Sequence, residues 1–474
     1  MVLSDRSLPR PRGLALLTWE RPRPDRIRNR PWAWRLAVVT VCFGAFMGQL
    51  DASIVTLTYG ALRTGFHSSY AAVEWVSLAY LLTLVALLIP VGRLSDTHGR
   101  KLMYLYGFAV FTVASAACGL APGLGALIGF RVLQAAGAAM LQANSVALVT
   151  TTAPPGRMRA ALGMQAAGQA IGLALGPTVG GALVDTIGWR WVFGINVPIG
   201  LLALVAGHFL LPRTRQRSAP GRTDLPGVLL LALATTSALL ALSVLSGLGP
   251  PAWTGGLLLL TAAGCGLFFV RRQAGCPRPL VDLRLLRTGG IGPGLLGGLC
   301  GYLVLFGPLV LVPLALARQG VGALTAGLVL TALPLGFAVA ASLSERALPS
   351  GWDDRARGRA GAAGCLGALV LLLVLPFQAA VLPVPLALLG LALGVFLPAN
   401  NTQVMRAVPA SAAGTGGGMV NLTRGLGTAL GVAAVTLTLH LVPPAAGPVS
   451  ATAVLAGCAA LALAATCRGG GDSG

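Results

Sequence analysis

Long apolar runs separated by short polar segments dominate the chain. Each run has about 20 residues, the length that an α-helix needs to cross a hydrocarbon core of about 30 Å. The runs do not alternate between apolar and polar residues as half-buried strands would. We therefore predict an all-α polytopic membrane protein. The fourteen predicted helices are 36–59, 71–91, 102–121, 125–150, 160–184, 191–211, 226–247, 255–270, 291–315, 324–344, 361–380, 383–404, 413–441 and 446–466.

The polar segments between these runs carry their basic residues unevenly. Most arginines fall in alternate loops, whereas the intervening loops hold only Arg63, Arg190 and Arg318. Cytoplasmic loops of membrane proteins are enriched in Lys and Arg. The asymmetry predicts a multi-pass protein of the cytoplasmic (inner) membrane with both termini in the cytoplasm, and this topology requires an even number of spans.

The segment 227–270 decides between twelve and fourteen spans. It has no charged residue, is too long for one span and is interrupted by Pro250 and Pro251, so two helices fit it better than one central loop. The predicted organisation is a cytoplasmic, disordered tail over 1–35, a six-helix bundle over 36–211, two additional helices over 226–270 and a second six-helix bundle over 291–466. The loops 92–101 and 345–359 fall at matching places in the two halves, which indicates an internal repeat.

Composition narrows the functional classes. Of the 474 residues, 55% are hydrophobic and 10% are charged, against about 25% charged residues in soluble domains. The mean hydropathy is +0.80. The formal net charge of +21 comes from loops and the tail and not from a basic patch interleaved with aromatics, so nucleic acid is not an expected partner. The eight Cys form no CxxC pair and the four His are scattered, so no metal site is expected.

One acidic residue lies deep within a predicted helix. Asp51, in LDASIVTL, is about 22 Å along the first predicted helix, whereas Glu74 and Asp185 lie near helix ends. A charge inside a span is costly and is therefore a functional candidate. Arg131, in RVLQAAGAA, is the basic counterpart at similar depth, about 10 Å from the outer end of the fourth predicted helix.

Two interpretations of Asp51 stay open at this point. It is either a member of a structural ion pair or a titrating carboxylate that takes up and releases protons. In the second interpretation Arg131 acts as a gate, because an arginine that approaches or leaves a carboxylate changes how strongly that carboxylate holds a proton. Similar depth does not by itself establish contact between the two helices.

The segment 92–101, GRLSDTHGRK, is predicted to be a short cytoplasmic turn. Gly92 and Gly99 permit tight turning. Asp96 can accept hydrogen bonds from helix-end amides, and Arg100 and Lys101 can hold a facing helix end or a lipid phosphate. An ordinary inside-facing loop is the alternative interpretation.

The segment 172–181, GLALGPTVGG, concentrates helix-weakening residues in an apolar run. Gly172, Gly176 and Gly180 recur on one helix face, and such a face lets another helix approach closely in a membrane. Pro177 is expected to bend the helix. We expect this face to contact the other bundle and to seal a gate, with an ordinary packing face as the alternative.

The order of these motifs resembles that of the major facilitator superfamily, and within it the fourteen-span drug:proton antiporters. LDASIVTL is similar to the family's helix-1 motif, GRLSDTHGRK to its helix 2–3 loop motif, RVLQAAGAA to its helix-4 motif and GLALGPTVGG to its antiporter motif. GWRWVFGINVPIG is also similar to this subfamily, and in the second half, where the likeness is loose, GGMVNLTRGLG is the best match. The positions that carry the resemblance are Leu50, Asp51, Ile54, Val55, Gly92, Leu94, Asp96, Gly99, Arg100, Lys101, Arg131, Gln134, Gly137, Ala139, Gly172, Gly176, Pro177, Gly180, Gly181, Asn421 and Arg424.

Two positions depart from the family pattern. Thr97 stands where the family usually has Arg, and Ala135 stands where it usually has Gly. The resemblance implies two six-helix bundles around a central cavity that opens alternately to each face. It assigns proton coupling to Asp51 and Arg131, gating to 92–101 and antiport to 172–181.

The resemblance favours an exporter that exchanges protons for a hydrophobic drug or antibiotic. Such a protein needs a small-molecule substrate, membrane lipid and a proton gradient but no cofactor, and we expect a monomer. A proton-coupled uptake symporter of the same fold is the alternative, disfavoured by 172–181. A membrane enzyme or receptor would need a catalytic cluster, which the sequence does not show. The sequence also has no nucleotide-binding loop, so ATP is not the expected energy source.

The sequence is rich in Ala, Gly, Leu and Arg, which indicates a high-GC bacterial genome. Self-resistance to an antibiotic is a fitting role in such a bacterium. The sequence does not identify the substrate.

Overall fold

A computed structural model gives the fold of the chain. It describes residues 20–468 except 29, 69, 155, 215–223, 246–251, 277–278, 280–282, 288–289, 322, 350, 410–411 and 444–445, and these residues form helices and no strands. Each of fourteen long helices overlaps one predicted helix. They are α1 (Ala33–Ile54), α2 (Tyr70–His98), α3 (Arg100–Gly119), α4 (Leu124–Thr152), α5 (Met158–Thr186), α6 (Asn196–Leu210), α7 (Leu225–Leu245), α8 (Ala252–Gly275), α9 (Ile291–Arg318), α10 (Ala323–Ala347), α11 (Asp354–Val374), α12 (Pro383–Ala407), α13 (Ala413–Leu441) and α14 (Gly447–Arg468).

The N-terminal segment corrects one expectation. Residues 1–19 of the predicted tail lie outside the described residues, but the part of 20–35 that is described is folded against the first bundle. Glu20 is buried and accepts hydrogen bonds from the Thr214 amide at 2.8 Å and from the Thr214 hydroxyl at 2.9 Å. Arg23 donates to the Leu210 carbonyl at 2.7 Å. These bonds fix the segment to the C-terminal end of α6, so the tail is not disordered up to residue 35.

The long helices form two bundles and a separate hairpin. In the first bundle, α1 packs against α4, α5 and α6, and α3 packs against α4 and α6. In the second, α9 packs against α13 and α14, and α12 packs against α10 and α11. The bundles meet along two seams, α2 with α13 and α5 with α10, and α4 also contacts α13. Buried apolar clusters fill both bundles and extend across these seams.

The hairpin of α7 and α8 lies on the outside of one seam. Its helix α7 contacts both α2 and α13. Asp224 fastens the base of the hairpin, because it accepts hydrogen bonds from Arg272 Nε and Gln273 Nε2, both at 2.8 Å. Burial raises the pKa of Asp224, but these bonds and one from the Gly227 amide outweigh it and hold the pKa below its ordinary value. The hairpin thus covers the α2–α13 seam.

The number of membrane crossings remains a prediction. Twelve helices among the described residues are long and apolar enough to cross a membrane. The helices α5 and α7 are not among these twelve, and α7 contributes only a shorter apolar stretch, Pro226–Ala241. The fourteen long helices agree with the predicted set in sequence position, but fourteen spans are not established.

The connection between α10 and α11 is shorter than predicted. Most of 345–359 is helical, since α10 continues to Ala347 and α11 begins at Asp354 rather than at 361. The Asp353 carboxylate accepts a hydrogen bond from the Ala356 amide at 2.7 Å. An acidic N-cap of this kind satisfies an amide that the helix itself leaves without a partner, which explains the early start of α11.

Candidate proton-coupling site and bundle contacts

Asp51 lies near the end of α1 and has no exposed surface. Its Oδ2 accepts a hydrogen bond from Arg131 Nη1 at 2.6 Å. Its Oδ1 accepts hydrogen bonds from Gln134 Nε2 at 3.0 Å and from Asn196 Nδ2 at 3.2 Å. The structure therefore places the two charged residues that the sequence predicted at similar depth in direct contact, with α1, α4 and α6 each contributing one or more side chains.

Arg131 is held by further partners besides Asp51. Its Nε donates to the Val76 carbonyl at 3.0 Å, and its Nη1 donates to Gln134 Oε1 at 2.7 Å. The guanidinium also lies over the ring of Tyr80, 4.0 Å from the centroid. A cation over an aromatic face is attracted by the ring. The guanidinium is thus fixed in one orientation by α2 and α4 as well as by the carboxylate.

Sequence reasoning missed several members of this site. Gln134 carried part of the motif match but was given no role, and it also donates to Ser115 Oγ at 2.8 Å. Asn196 was recognisable as a buried-amide candidate in the apolar run of α6, and Tyr80 as a hydroxyl in that of α2. Their participation depends on which way each helix turns, and the sequence pattern does not specify that direction.

The arrangement can couple a proton to a change in helix contacts. A buried ion pair interacts far more strongly than one in water, because the surroundings screen it poorly. Protonation of Asp51 would remove the negative charge and with it the attraction for Arg131. The change would weaken the connection between α1 and α4 while leaving the Val76 and Gln134 bonds of Arg131 in place.

The motif 92–101 lies at the far end of the bundle, where α2 meets α3, and we name this the Asp96 end. The predicted turn over 92–101 is wrong in extent, since 92–98 complete α2, α3 begins at Arg100 and only Gly99 lies between the two helices. Asp96 Oδ1 accepts hydrogen bonds from Arg100 Nη2 at 2.9 Å and from the Gly414 amide at 2.7 Å. Its Oδ2 accepts from the Thr415 amide at 2.8 Å and the Thr415 hydroxyl at 2.7 Å. Gly414 and Thr415 begin α13. Asp96 therefore binds the N-terminus of a helix in the other bundle, where helix-end amides favour a carboxylate.

The other predicted members of this motif shape and support the turn. Gly99 has a φ of 112°, which a residue with a side chain rarely adopts. A Cβ at Gly92 would lie 2.7 Å from the Gly414 carbonyl oxygen, so a side chain there would push the bundles apart. Lys101 Nζ donates to the carbonyls of Arg21, His208 and Leu211 at 2.8, 2.9 and 2.7 Å. Lys101 thus holds the end of α6, one of its two expected partners.

A second ionic contact joins the bundles at the Asp96 end. Arg159 Nη1, in α5, lies 2.8 Å from Asp354 Oδ1, at the start of α11. Arg406 Nη1, at the end of α12, lies 2.7 Å from Asp354 Oδ2. Asp96 lies near the end of α2 and Asp354 begins α11, so each lies at the connection between the second and third long helices of its half, although not at the same position in it. Each half therefore provides one carboxylate that contacts the other bundle, an arrangement that fits an internal repeat.

The glycines of 172–181 contact their own bundle. A Cβ at Gly172 would lie 2.5 Å from the Phe46 carbonyl oxygen, and one at Gly176 would overlap the Ser53 side chain, both in α1. The expectation that this face contacts the other bundle is therefore wrong in this conformation. The glycines instead let α1, which carries Asp51, lie directly against α5. Gly180 is buried in α5, and the surroundings of Pro177 and Gly181 lie outside the described residues.

Different glycines permit close approach between the bundles. A Cβ at Gly163, in α5, would overlap the Ala341 carbonyl oxygen of α10. A Cβ at Gly417, in α13, would lie 2.6 Å from the Ala143 carbonyl oxygen of α4. Small residues at both interfaces allow backbones to meet, as is typical of helices packed in a membrane. In this structure these positions, and not Gly172 or Gly176, bring backbones of the two bundles together.

Two helical bundles that meet along seams, with a buried charge pair inside one and ionic contacts between them, define a multi-pass membrane protein of the secondary-transporter class. A family model described as Major Facilitator Superfamily matches residues 41–432. The chain belongs to this superfamily.

Relatives show what this chain is similar to. The tetracenomycin C resistance and export protein of Streptomyces glaucescens is 37% identical over 273 residues, which cover 56% of this chain and 49% of that protein. This alignment thus spans about half the relative's length. Riboflavin transporter RibZ of Clostridioides difficile is 30% identical over 84% of this chain and 86% of its own. The crystal structure of the human organic anion transporter MFSD10 (TETRAN) matches 92% of this chain and 100% of that chain with a TM-score of 0.66 at 17% identity, a likeness of fold alone.

Proposed function

We propose that this protein is a proton-coupled antiporter that exports a hydrophobic drug or antibiotic across the cytoplasmic membrane. The observation that carries the proposal is the buried pair of Asp51 and Arg131, 2.6 Å apart at their nearest atoms. Ionisable residues inside membrane segments are rare and mark ion pathways and proton relays. Asp51 has no exposed surface, and Arg131 is the one charged side chain that the described residues place against it, as expected of a carboxylate in such a relay.

In the proposed cycle, protonation of Asp51 competes with its ion pair. The protonated acid releases Arg131, and the change in contact between α1 and α4 biases the first bundle toward the conformation open to the opposite face. The contacts of Asp96 and Asp354 must break when the Asp96 end opens. We propose that this end faces the cytoplasm, with both termini on that side, and that the transporter works as a monomer.

Export is supported by the name of one relative, the tetracenomycin C resistance and export protein. A similar role here would fit self-resistance in an antibiotic producer. The second candidate function is proton-coupled uptake by the same fold. The similarity to a riboflavin transporter supports this candidate only as far as transport, because the name of that relative states no direction.

Transport into inverted membrane vesicles distinguishes the two functions. A respiratory substrate acidifies the vesicle lumen, and the proposal predicts that a panel of labelled drugs then accumulates inside and that each transported drug releases protons from the lumen. Nigericin, which collapses the pH gradient, should abolish accumulation, and vesicles without the protein are the control. Movement of substrate out of the lumen together with protons would instead indicate a symporter, and accumulation that survives nigericin would contradict proton coupling.

A topology reporter tests the proposed fourteen spans. If α7 and α8 both cross the membrane, a reporter inserted next to Trp253, at the start of α8, lies outside the cell. A matched reporter at Arg213, beyond the end of α6, should lie inside. A cytoplasmic signal at Trp253 would contradict fourteen spans and leave twelve, with the segment 226–270 on the inner surface.

A further inference from the structure

Arg424 is a buried arginine that lies between the two bundles. It is 6% exposed and lies in α13, about 16 Å along the helix from Ala413, which is about half the thickness of a hydrocarbon core. It donates a hydrogen bond to Gln142 Oε1 of α4, and the Tyr302 side chain lies beside it. Among the residues that the structure describes, no carboxylate pairs with it. A cation at this depth is costly unless a partner compensates it.

A buried hydroxyl lies near the same guanidinium. The Tyr80 side chain is 1% exposed, and its hydroxyl has no hydrogen-bond partner within the described part of the chain. Tyr80 is close enough to both Arg131 and Arg424 to interact electrostatically with each. A phenolic hydroxyl can donate a hydrogen bond, and a guanidinium can only donate. Together they form a group of donors that suits a negatively charged acceptor.

The second bundle contributes aromatic side chains close to Arg424, because Tyr302 lies beside the guanidinium and borders a cavity together with Phe337. Two small cavities lie here, one bordered by Gln142 and Arg424 and the other by Tyr302 and Phe337, and Gln169 borders both. Each has a volume of about 10 Å³, which is room for one water molecule. The bundles are thus closed on each other, and a larger molecule fits only when they separate.

We propose that Arg424, assisted by the hydroxyls of Tyr302 and Tyr80, binds the ionised acidic group of an aromatic substrate. The aromatic rings would lie against Tyr302 and Phe337. In the closed conformation Gln142 occupies the guanidinium, and a carboxylate replaces it because a charged acceptor binds a guanidinium more strongly than a neutral amide oxygen does. Substrate binding therefore breaks one contact between α4 and α13. This inference rests on the proposed transport of a small molecule.

Equilibrium binding to the purified protein in lipid nanodiscs tests the substrate class. The probes are naphthalene-2-carboxylate, anthracene-9-carboxylate and pyrene-1-carboxylate, each compared with its neutral methyl ester. The wild-type protein should bind at least one carboxylate about tenfold or more tightly than its ester. Arg424→Gln should lower the affinity for that carboxylate about 10- to 100-fold, as expected for a lost hydrogen bond to a charged group. The same substitution should change the affinity for the methyl ester less than about threefold. Arg318→Gln, which alters an exposed arginine of α9, should change neither.

The ratio of carboxylate to ester affinity separates recognition from a purely structural role. If Arg424 only connects the bundles through Gln142, Arg424→Gln changes both affinities alike, and that result would overturn the proposal. Equal binding of acid and ester by the wild type, or binding of no probe, would also overturn it. Should Arg424→Gln fail to fold, Tyr302→Phe provides the same test, with an expected loss of about 3- to 10-fold for the carboxylate only. The binding assay contains no proton gradient. A negative result in it would therefore overturn the role of Arg424 without deciding whether transport depends on Asp51, which the transport assays test separately.

Discussion

Arg131 and Arg424 are both buried in the membrane-spanning part of the protein, but they have different partners. Arg131 lies within the first bundle and makes an ion pair with Asp51, a bond to the Val76 carbonyl and a contact with the Tyr80 ring. Arg424 lies between the bundles and donates to the neutral amide of Gln142. Tyr80 is close to both.

The difference separates two tasks of a transporter. The Arg131 site has its counter-charge in the chain, so its ionic state can change only when a proton or a helix moves. The Arg424 site has no carboxylate among the described residues, so a negative charge must come from elsewhere to compensate it. The first arrangement suits an internal switch, and the second suits recognition of a ligand.

Arg131→Ala should abolish transport and destabilise the protein by about 3–5 kcal/mol, because it leaves Asp51 buried without its counter-charge. Arg131→Lys should keep the charge and be impaired, since a lysine cannot reproduce the planar guanidinium that contacts Asp51, Val76 and the Tyr80 ring together. Thermal unfolding in detergent and drug efflux at equal expression measure the two effects.

A charge-neutral pair provides the control for this prediction. The double variant Asp51→Asn with Arg131→Gln should recover most of the lost stability, because no unpaired charge remains, but it should not recover transport. If Arg131→Ala unfolds at the wild-type temperature, or if it still exchanges protons for drug with wild-type stoichiometry, the ion pair has neither the energetic nor the coupling role assigned to it.

Leucine substitutions at Gly176 and Gly417 should have different consequences. Gly176→Leu should disturb the contact of α1 with α5 and so displace Asp51, lowering stability by about 1–3 kcal/mol and reducing transport without a leak. Gly417→Leu should keep α13 away from α4 and cause a gradient-independent leak of substrate or protons. Drug efflux and passive proton leak in proteoliposomes are measured for both variants.

Smaller substitutions calibrate the glycine comparison. Both Gly176→Ala and Gly176→Leu require Ser53 to turn aside, since even a Cβ overlaps its side chain. Gly176→Ala should be the milder of the two, because it adds no further atoms. Gly168→Ala is the matched control in α5, because its Cβ would lie 3.3 Å from Cys42 Cβ and needs only a small adjustment. A leak in Gly176→Leu but not in Gly417→Leu would restore the sealing role to 172–181.

The smallest expected effect on stability is that of Arg424→Gln, within about 1 kcal/mol of the wild type in either direction. The substitution removes a buried charge that no carboxylate of the described residues compensates, and the new amide can still bond to Gln142. Thermal unfolding beside Arg131→Ala gives the comparison. A loss as large as that of Arg131→Ala would show that Arg424 has a stabilising partner after all and would remove the contrast between the sites.

The sequence predicted the elements of the fold well. Runs of about 20 apolar residues located all fourteen long helices, because the hydrocarbon thickness fixes the length that a run must have. Some helix ends and the N-terminal tail differ from the prediction. The early start of α11 depends on the Asp353 N-cap, and the folded part of the 1–35 tail depends on Glu20 reaching Thr214. Both are local or tertiary contacts that hydrophobicity does not report.

The candidate site was predictable in its charges but not in its partners. Asp51 and Arg131 stood out because charges are rare inside spans, and depth along the helices placed them correctly. The partner of Gly176 was assigned to the wrong bundle, since a small-residue face indicates that some helix approaches but not which one. Asn196, Tyr80 and Gln142 are ordinary polar residues in sequence, and only helix rotation brings them to the charged groups.

The most direct test of proton coupling measures protons that substrate moves through the reconstituted protein. Wild-type protein and Asp51→Asn are reconstituted at equal amounts in proteoliposomes that contain a pH-sensitive dye, and a drug identified in the vesicle assay is added on one side. The drug should drive proton movement through the wild type. It should drive none through Asp51→Asn, which we expect to fold and insert like the wild type. Wild-type proton movement in Asp51→Asn would contradict the assignment of Asp51 as the proton-coupling carboxylate.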